Sequence, residues 1–161
     1  MRQLLLCSFV VVVFLTACSK KKDVIDPCSY DPCSVVAPAA EIQSVQTYLT
    51  SKGLTATQHC SGAFYIIDAP GTGAAPNVCS YINTNYIGRL TNGNGFDSGM
   101  FRAPIQLGGL IRGWANTLPL IKQGGKIRMF LPPSMGYGNQ AAGTIPPNSI
   151  LIFDVELTYV Q

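Results

Sequence analysis

The spacing of apolar residues changes character several times along the chain. Leu4 to Leu15 is apolar throughout except for Ser8. Residues 19–37 are polar and turn-prone, with Asp-Pro steps at 26–27 and 31–32. After Pro38, Ile42, Val45, Tyr48 and Leu49 fall at i, i+3, i+6 and i+7, one stripe of an α-helix, and Gly53 supplies the residue type that closes such a helix. From Phe64 the signals switch to strands and turns. Phe64-Tyr65-Ile66-Ile67 is a β-rich run ended by Asp68-Ala-Pro-Gly-Thr-Gly, and Ile82, Thr84 and Tyr86 share one face of the next strand. Asn92-Gly93 is a strong hairpin signal. Ile127, Met129 and Leu131 alternate again, and Ile150 to Tyr159 reads as a last long strand. Between them, Leu110 to Leu118 suits a short helix that Pro119 must end or kink.

The first apolar run is an address rather than part of the fold. Arg2 precedes it and small residues follow it, the organisation of a secretory signal peptide. It is too short to span a bilayer, which takes about 20 apolar residues. Leu15-Thr16-Ala17-Cys18 resembles the lipobox of bacterial lipoproteins. That resemblance implies a signal peptide over residues 1–17, acylation of Cys18 and a lipid anchor in the bacterial cell envelope, with the outer membrane as the expected site. The alternative is a plain signal peptide with an incidental cysteine. Residues 18–37, with Lys20, Lys21 and Lys22, then form a lipidated, solvated tether.

Composition narrows the classes further. The chain has 161 residues, a formal charge of +3, 47% hydrophobic residues and only 12% charged ones, against about 25% charged in ordinary domains. The charge is too small for a nucleic-acid binder, and the length leaves room for one core. A monomer is expected. Four cysteines remain beyond Cys7 and Cys18: Cys28, Cys33, Cys60 and Cys79. In an exported chain they read as disulfides, and four allow three connectivities. Local spacing favours Cys28–Cys33, with Cys60–Cys79 as a staple between the beginnings of two strands. A zinc site is the competing reading, weakened by unpaired spacings and by a single histidine, His59, next to Cys60.

Three segments carry more specific information. Tyr86-Ile-Gly-Arg-Leu with Phe96-Asp97-Ser98, then Leu110-Ile-Arg-Gly-Trp114, then Tyr137-Gly138 with Ile145-Pro-Pro-Asn-Ser and Leu151-Ile-Phe-Asp-Val-Glu-Leu157, resemble the ordered motifs of FKBP-type peptidyl-prolyl isomerases. The resemblance implies an α+β fold over residues 64–161, a five-stranded antiparallel sheet wrapped around a short helix, with residues 38–63 as an added helical extension. It also implies a prolyl pocket. Trp114 would be its floor, Tyr86, Phe96 and Phe153 its walls, Leu110 and Ile111 its entrance and Ile145 its rim. Asp97 would accept from the Tyr86 hydroxyl, with Arg102 as a candidate ion-pair partner, and Tyr137 would offer its hydroxyl to the substrate. Each aromatic taken singly could be ordinary core, and Asp97 could be a turn cap; the ordered set points to a site. The implied substrates are proline-containing polypeptides, with no cofactor and no metal.

Two readings follow: an envelope prolyl isomerase, or a non-catalytic envelope lipoprotein that binds peptides or a partner with the same pocket. Retention of Tyr86, Asp97, Trp114 and Tyr137 together favours the enzyme. Other chemistries fit poorly. Gly71-Thr-Gly-Ala-Ala-Pro lacks the glycine and lysine of a phosphate cradle, Asn92-Gly-Asn-Gly has too few carboxylates for calcium, and a Ser–His–Asp triad would rest on His59 alone. The chain departs from the family pattern at Thr84, where valine is usual, at Met100-Phe101 in a short segment, and at Asn139-Gln-Ala-Ala-Gly, which lacks a bulky residue.

Overall fold

In the computed structural model the structure describes residues 28–161; the expected signal peptide, Cys18 and the first part of the expected tether lie outside the described residues. The order of elements is α1 (Ala39–Ser51), β1 (Thr57–Gln58), β2 (Phe64–Ala69), β3 (Tyr81–Leu90), β4 (Gly95–Met100), β5 (Ile105–Gln106), α2 (Arg112–Thr117), β6 (Lys126–Leu131) and β7 (Leu151–Val160). All strands pair antiparallel in the order β1-β2-β6-β7-β3-β4, with β5 also on β3. Five strands have six residues or more and the other two have two each. The five-stranded sheet of the sequence reading is therefore present, with two short additions.

Period-two alternation decides which side of the sheet each residue serves. On β7, Leu151, Phe153, Val155 and Leu157 face one side, with Ile127, Met129 and Leu131 of β6 and Ile82 of β3, all buried around Trp114 and Leu118. This inner face holds α2, which passes at Leu118 into a single 3₁₀ turn containing Pro119. The other face is covered only in part. Val45 and Leu49 of α1 pack with Phe64, Phe130 and Ile152. Further along it, Asp154 accepts from both Arg89 and Arg128 in one clamp, and the same bond raises the Arg128 pKa.

α1 ends as its sequence suggests. Gly53 adopts φ +64°, its N–H donates to the Thr50 carbonyl, and the next N–H, that of Leu54, reaches back to Leu49 (3.0 Å). This is the Schellman closure that favours glycine at a left-handed position. Leu54 also packs with the apolar cluster under the helix. At the turn between β3 and β4, Gly93 N–H donates to Leu90 O (2.9 Å), so Asn92-Gly93 makes the expected hairpin.

The disulfides correct the sequence expectation. Cys28 is bonded to Cys79 and Cys33 to Cys60, with Cα–Cα distances of 5.5 and 5.4 Å. The favoured Cys60–Cys79 staple fails because β2 and β3 are not neighbours: β6 and β7 lie between them. The three antiparallel steps also set β2 and β3 in opposite directions: Phe64, where β2 begins, is level with Arg89 near the end of β3 and not with Tyr81 at its beginning. Each bridge instead ties the N-terminal segment to the domain, and all four cysteines are engaged as disulfides rather than as metal ligands. Between the bridges, an Asx turn forms as Cys33 N–H donates to Asp31 Oδ1 (2.8 Å). Tyr30 O–H donates to Asn116 of α2 (2.6 Å), and Ala37, fully inside, donates to Ser61 O (2.9 Å). Residues 28–37, assigned from sequence to the tether, thus form a strap across the domain.

Candidate active site

β3, β4, α2 and β7 converge on one cleft of about 120 Å³. Its base is Trp114, 3% exposed, and Phe153, 4% exposed. The two rings meet edge to face at 5.2 Å, and Tyr86 stands edge-on to Trp114 at 5.4 Å. Such T-shaped contacts set the negative face of one ring against the positive edge of another, so the three rings hold one another in place. Leu110, Ile111 and Tyr137 complete the mouth. The volume suits one small ring, since sites for drug-sized ligands run to about 300–1,000 Å³.

The polar groups sit at the edge. Tyr86 O–H donates to Asp97 Oδ2 (2.7 Å), and Asp97 Oδ1 accepts from the Ser98 N–H (2.8 Å). Burial, first, and the Asp97 carboxylate, second, push the Tyr86 pKa up to about 12. The phenol therefore stays protonated, and its lone pairs and ring face the cleft without adding charge. Ile111 caps α2, and its N–H donates to no acceptor among the described residues, while its carbonyl receives the Trp114 and Ala115 N–H groups. An unoccupied donor therefore lies at the mouth. The indole N–H of Trp114 is buried without a partner among the described residues, as is the Thr84 hydroxyl.

Of the residues singled out in the sequence, Tyr86, Asp97, Leu110, Ile111, Trp114, Tyr137 and Phe153 line this one cleft. Two stand a layer back. Phe96 packs edge-on behind Phe153 at 5.4 Å, and Gly88 permits this, because a Cβ there would run into both rings. Ile145 is 6% exposed and belongs to the core around Trp114 instead of the rim, its backbone closing a turn with Ala142. The Asp97–Arg102 pair does not form: Arg102 is exposed beyond the end of β4 and takes part in none of the ion pairs among the described residues. The Asp97 oxygens are satisfied by Tyr86 and Ser98. His59 is elsewhere, beside the Cys33–Cys60 bridge, with its Nδ1 engaged by Ser61.

One lining residue was missed. The Phe101 ring lies 5.6 Å from Tyr86 and 6.1 Å from Trp114, and its carbonyl accepts from Asn83 Nδ2 (3.1 Å). The available signal was the period of two: Asp97, Gly99 and Phe101 follow one another on the inner side past the end of β4, whereas Met100 is 62% exposed. A larger hollow of about 450 Å³ on the outer face of the sheet shares only Tyr86 with the cleft and has no aromatic cluster.

Comparison with known proteins gives this geometry its family. Residues 73–158 match the sequence model of the FKBP-type peptidyl-prolyl cis-trans isomerases. The chain belongs to that family. Among relatives, it is 43% identical over 118 residues to a probable FKBP-type peptidyl-prolyl cis-trans isomerase of Haemophilus influenzae, covering 71% of this chain and 48% of the relative. It is 40% identical over 104 residues to the FKBP-type isomerase FkpA of Escherichia coli K12, covering 63% of this chain and 38% of the relative. The matched stretch thus spans less than half the length of these curated relatives. Among solved structures, E. coli FkpA superposes with a TM-score of 0.67 at 34% identity, over 76% of this chain and 58% of that one. A peptidyl-prolyl isomerase from Pseudomonas syringae gives 0.66 at 28% identity, over 83% and 99%. The FKBP fold of the sequence reading is therefore shown.

Proposed function

We propose that this chain catalyses cis–trans isomerisation of Xaa-Pro bonds in exported polypeptides while held to the bacterial envelope by a lipid on Cys18. The observation that carries the catalytic part is the aromatic cleft with the Tyr86–Asp97 hydrogen bond at its edge. The matching names of the relatives support it.

The uncatalysed step is slow because amide conjugation opposes rotation, with a barrier of about 18–20 kcal/mol and interconversion over tens to hundreds of seconds. Twisting the bond breaks conjugation and leaves a less polar, ketone-like carbonyl. A cleft that seats the proline ring on Trp114, against Phe153, Tyr86 and Phe101, strips water from the planar amide. It thereby favours the twisted form over the planar one, which is differential binding of the transition state. The Ile111 N–H receives a peptide carbonyl beside the ring and holds the chain while the bond turns. The Tyr137 hydroxyl, on an exposed side chain at the mouth, is the second donor. The reaction itself makes and breaks no covalent bond, so these residues act by packing, hydrogen bonding and exclusion of water. Lowering the barrier by about 4 kcal/mol accelerates the step about a thousandfold.

A protease-coupled assay on an Xaa-Pro peptide tests this. Wild type should exceed the uncatalysed rate, with Asp97→Val reduced and Trp114→Ala reduced further. Peptide binding with no rate above background would instead establish a binding module. The anchor is tested by metabolic labelling with a fatty acid, which should label the wild type and fail in Cys18→Ala; label persisting in that variant would refute it.

A further inference from the structure

A second, larger hollow borders the cleft at Leu110, and it differs from the cleft in chemistry. It encloses about 690 Å³ and shares Leu110 with the prolyl site. Gln106, Arg112 and Ser134 line it from the domain, and Ser29 and Tyr30 of the strap line the other side. The strap wall is fixed at this point. The Cys28–Cys79 bridge lies next to Ser29, and Tyr30 is bonded to Asn116 of α2. Residues 28–37 lie outside the stretch matched by the family model.

Among the described residues, Arg112 is the only charged one lining the hollow. It is exposed at the first position of α2 and joins none of the ion pairs or side-chain hydrogen bonds among the described residues. Glu41 and Asp31 are outside the lining: Glu41 accepts from the Ser134 N–H (2.8 Å) and Asp31 from the Cys33 N–H (2.8 Å). A polypeptide whose proline fills a cleft with room for one ring must continue outside it. An extended chain advances about 3.3 Å per residue, so a residue a few positions from the proline reaches past Leu110 into the hollow. There the polar walls supply partners for its backbone, and a free guanidinium offers a two-pronged donor matched to a carboxylate.

We propose that the hollow between the strap and α2 is a subsite for the substrate chain flanking the proline, and that Arg112 there selects an acidic side chain. This rests on the isomerase reading above and adds a substrate preference to it. The contact is solvent-accessible, so its expected size is about three- to tenfold, and it weakens in salt.

The test uses the full chain and exchange NMR on Xaa-Pro peptides, which needs no coupling protease. Peptides carry Glu, Gln or Lys at positions two to four residues to either side of the proline, and an all-Ala flank is the reference. In wild type, the Glu peptide of one flank should exceed its Lys counterpart about three- to tenfold in kcat/KM, mainly through KM. The preference should vanish in Arg112→Gln, reverse in Arg112→Glu and collapse in 0.5 M salt. Taking the Glu-to-Lys ratio within each protein cancels any change in overall activity, and Arg112 is exposed, so both variants are expected to fold. Equal handling of Glu and Lys at every position, or a Glu preference that survives Arg112→Glu, overturns the subsite. If the all-Ala peptide is not turned over by wild type, the isomerase reading fails instead. The subsite is then decided by chemical-shift titration of the same peptides, where equal affinities for Glu and Lys overturn it.

Discussion

Phe153 and Asp154 are neighbours on one strand, yet they belong to two different chemistries. Phe153 points to the inner face of the sheet, where its ring meets Trp114 and Phe96. Asp154 points to the outer face, where it holds Arg89 and Arg128. The inner face gathers rings around a cleft. The outer face has an apolar patch under α1 and, beyond it, half-exposed ion pairs. A strand's period of two lets one sequence serve both faces at once. Burial is high on both sides, so burial alone does not mark the site; convergence of aromatics on a void does.

The sharpest way to break this contrast is a matched pair of truncations. Trp114→Ala and Phe130→Ala each remove a buried aromatic, 3% and 1% exposed, on opposite faces. Each should cost about 3–5 kcal/mol in denaturant unfolding, a large share of a typical domain's stability of about 5–15 kcal/mol. Only Trp114→Ala should also lower kcat/KM, about a hundredfold, when both are assayed at temperatures where they remain folded. Equal activity in the two variants would mean that the cleft is merely core.

At the edge of the cleft, Asp97→Asn should reduce kcat/KM about tenfold and cost less than about 1 kcal/mol in stability, since it retains an acceptor for the Tyr86 hydroxyl without its charge. The same hydrogen bond sets a pH expectation. The Tyr86 pKa is raised from 10 to about 12, so the bonded, protonated phenol is fully present below pH 10 and its contribution is lost only as pH rises through about 12. Ionisation of Tyr86 should therefore leave the rate flat between pH 7 and 9. A fall across that window that Tyr86→Phe abolishes would contradict the assignment.

Smaller effects refine the comparison. Thr84 is wholly buried on the inner face, its hydroxyl without a partner among the described residues, and leaving such a group unmet costs about 1–3 kcal/mol. Thr84→Val should raise stability by about 1 kcal/mol in urea unfolding; a loss would show that the hydroxyl has a partner after all. On the outer face, Asp154→Asn should cost about 1 kcal/mol or less, because its pairs are partly solvated, and leave kcat/KM unchanged. A drop in activity there would mean that the two faces are coupled through β7.

Local pattern made much of this legible before any coordinates. Helix α1, the hairpin at Asn92-Gly93, the inward set Ile82, Thr84 and Tyr86, and the helix carrying Trp114 all follow from spacing. Each depends on residues a few positions apart. Seven of the nine proposed pocket residues line the cleft: Tyr86, Asp97, Leu110, Ile111 and Trp114 on or beside those elements, Phe153 on β7, and Tyr137 in a turn. Phe101 escaped because it lies just past β4, where the alternation continues although the strand pairing has ended. Arg102 was a candidate partner for Asp97 under the family resemblance, but it lies exposed beyond the end of the strand.

The sequence by itself determined which residues turn inward, where the chain reverses and the family to which the ordered motifs belong. These are consequences of backbone geometry and nearest neighbours. Only the tertiary structure decided the cysteine partners, because pairing requires Cα atoms within about 7 Å and strand order had placed β6 and β7 between the candidates. It also decided that residues 28–37 lie across the domain as a strap, bringing Tyr30 to Asn116 over 86 positions of sequence. Contacts at that separation depend on how the whole chain closes on itself, and no local period encodes them.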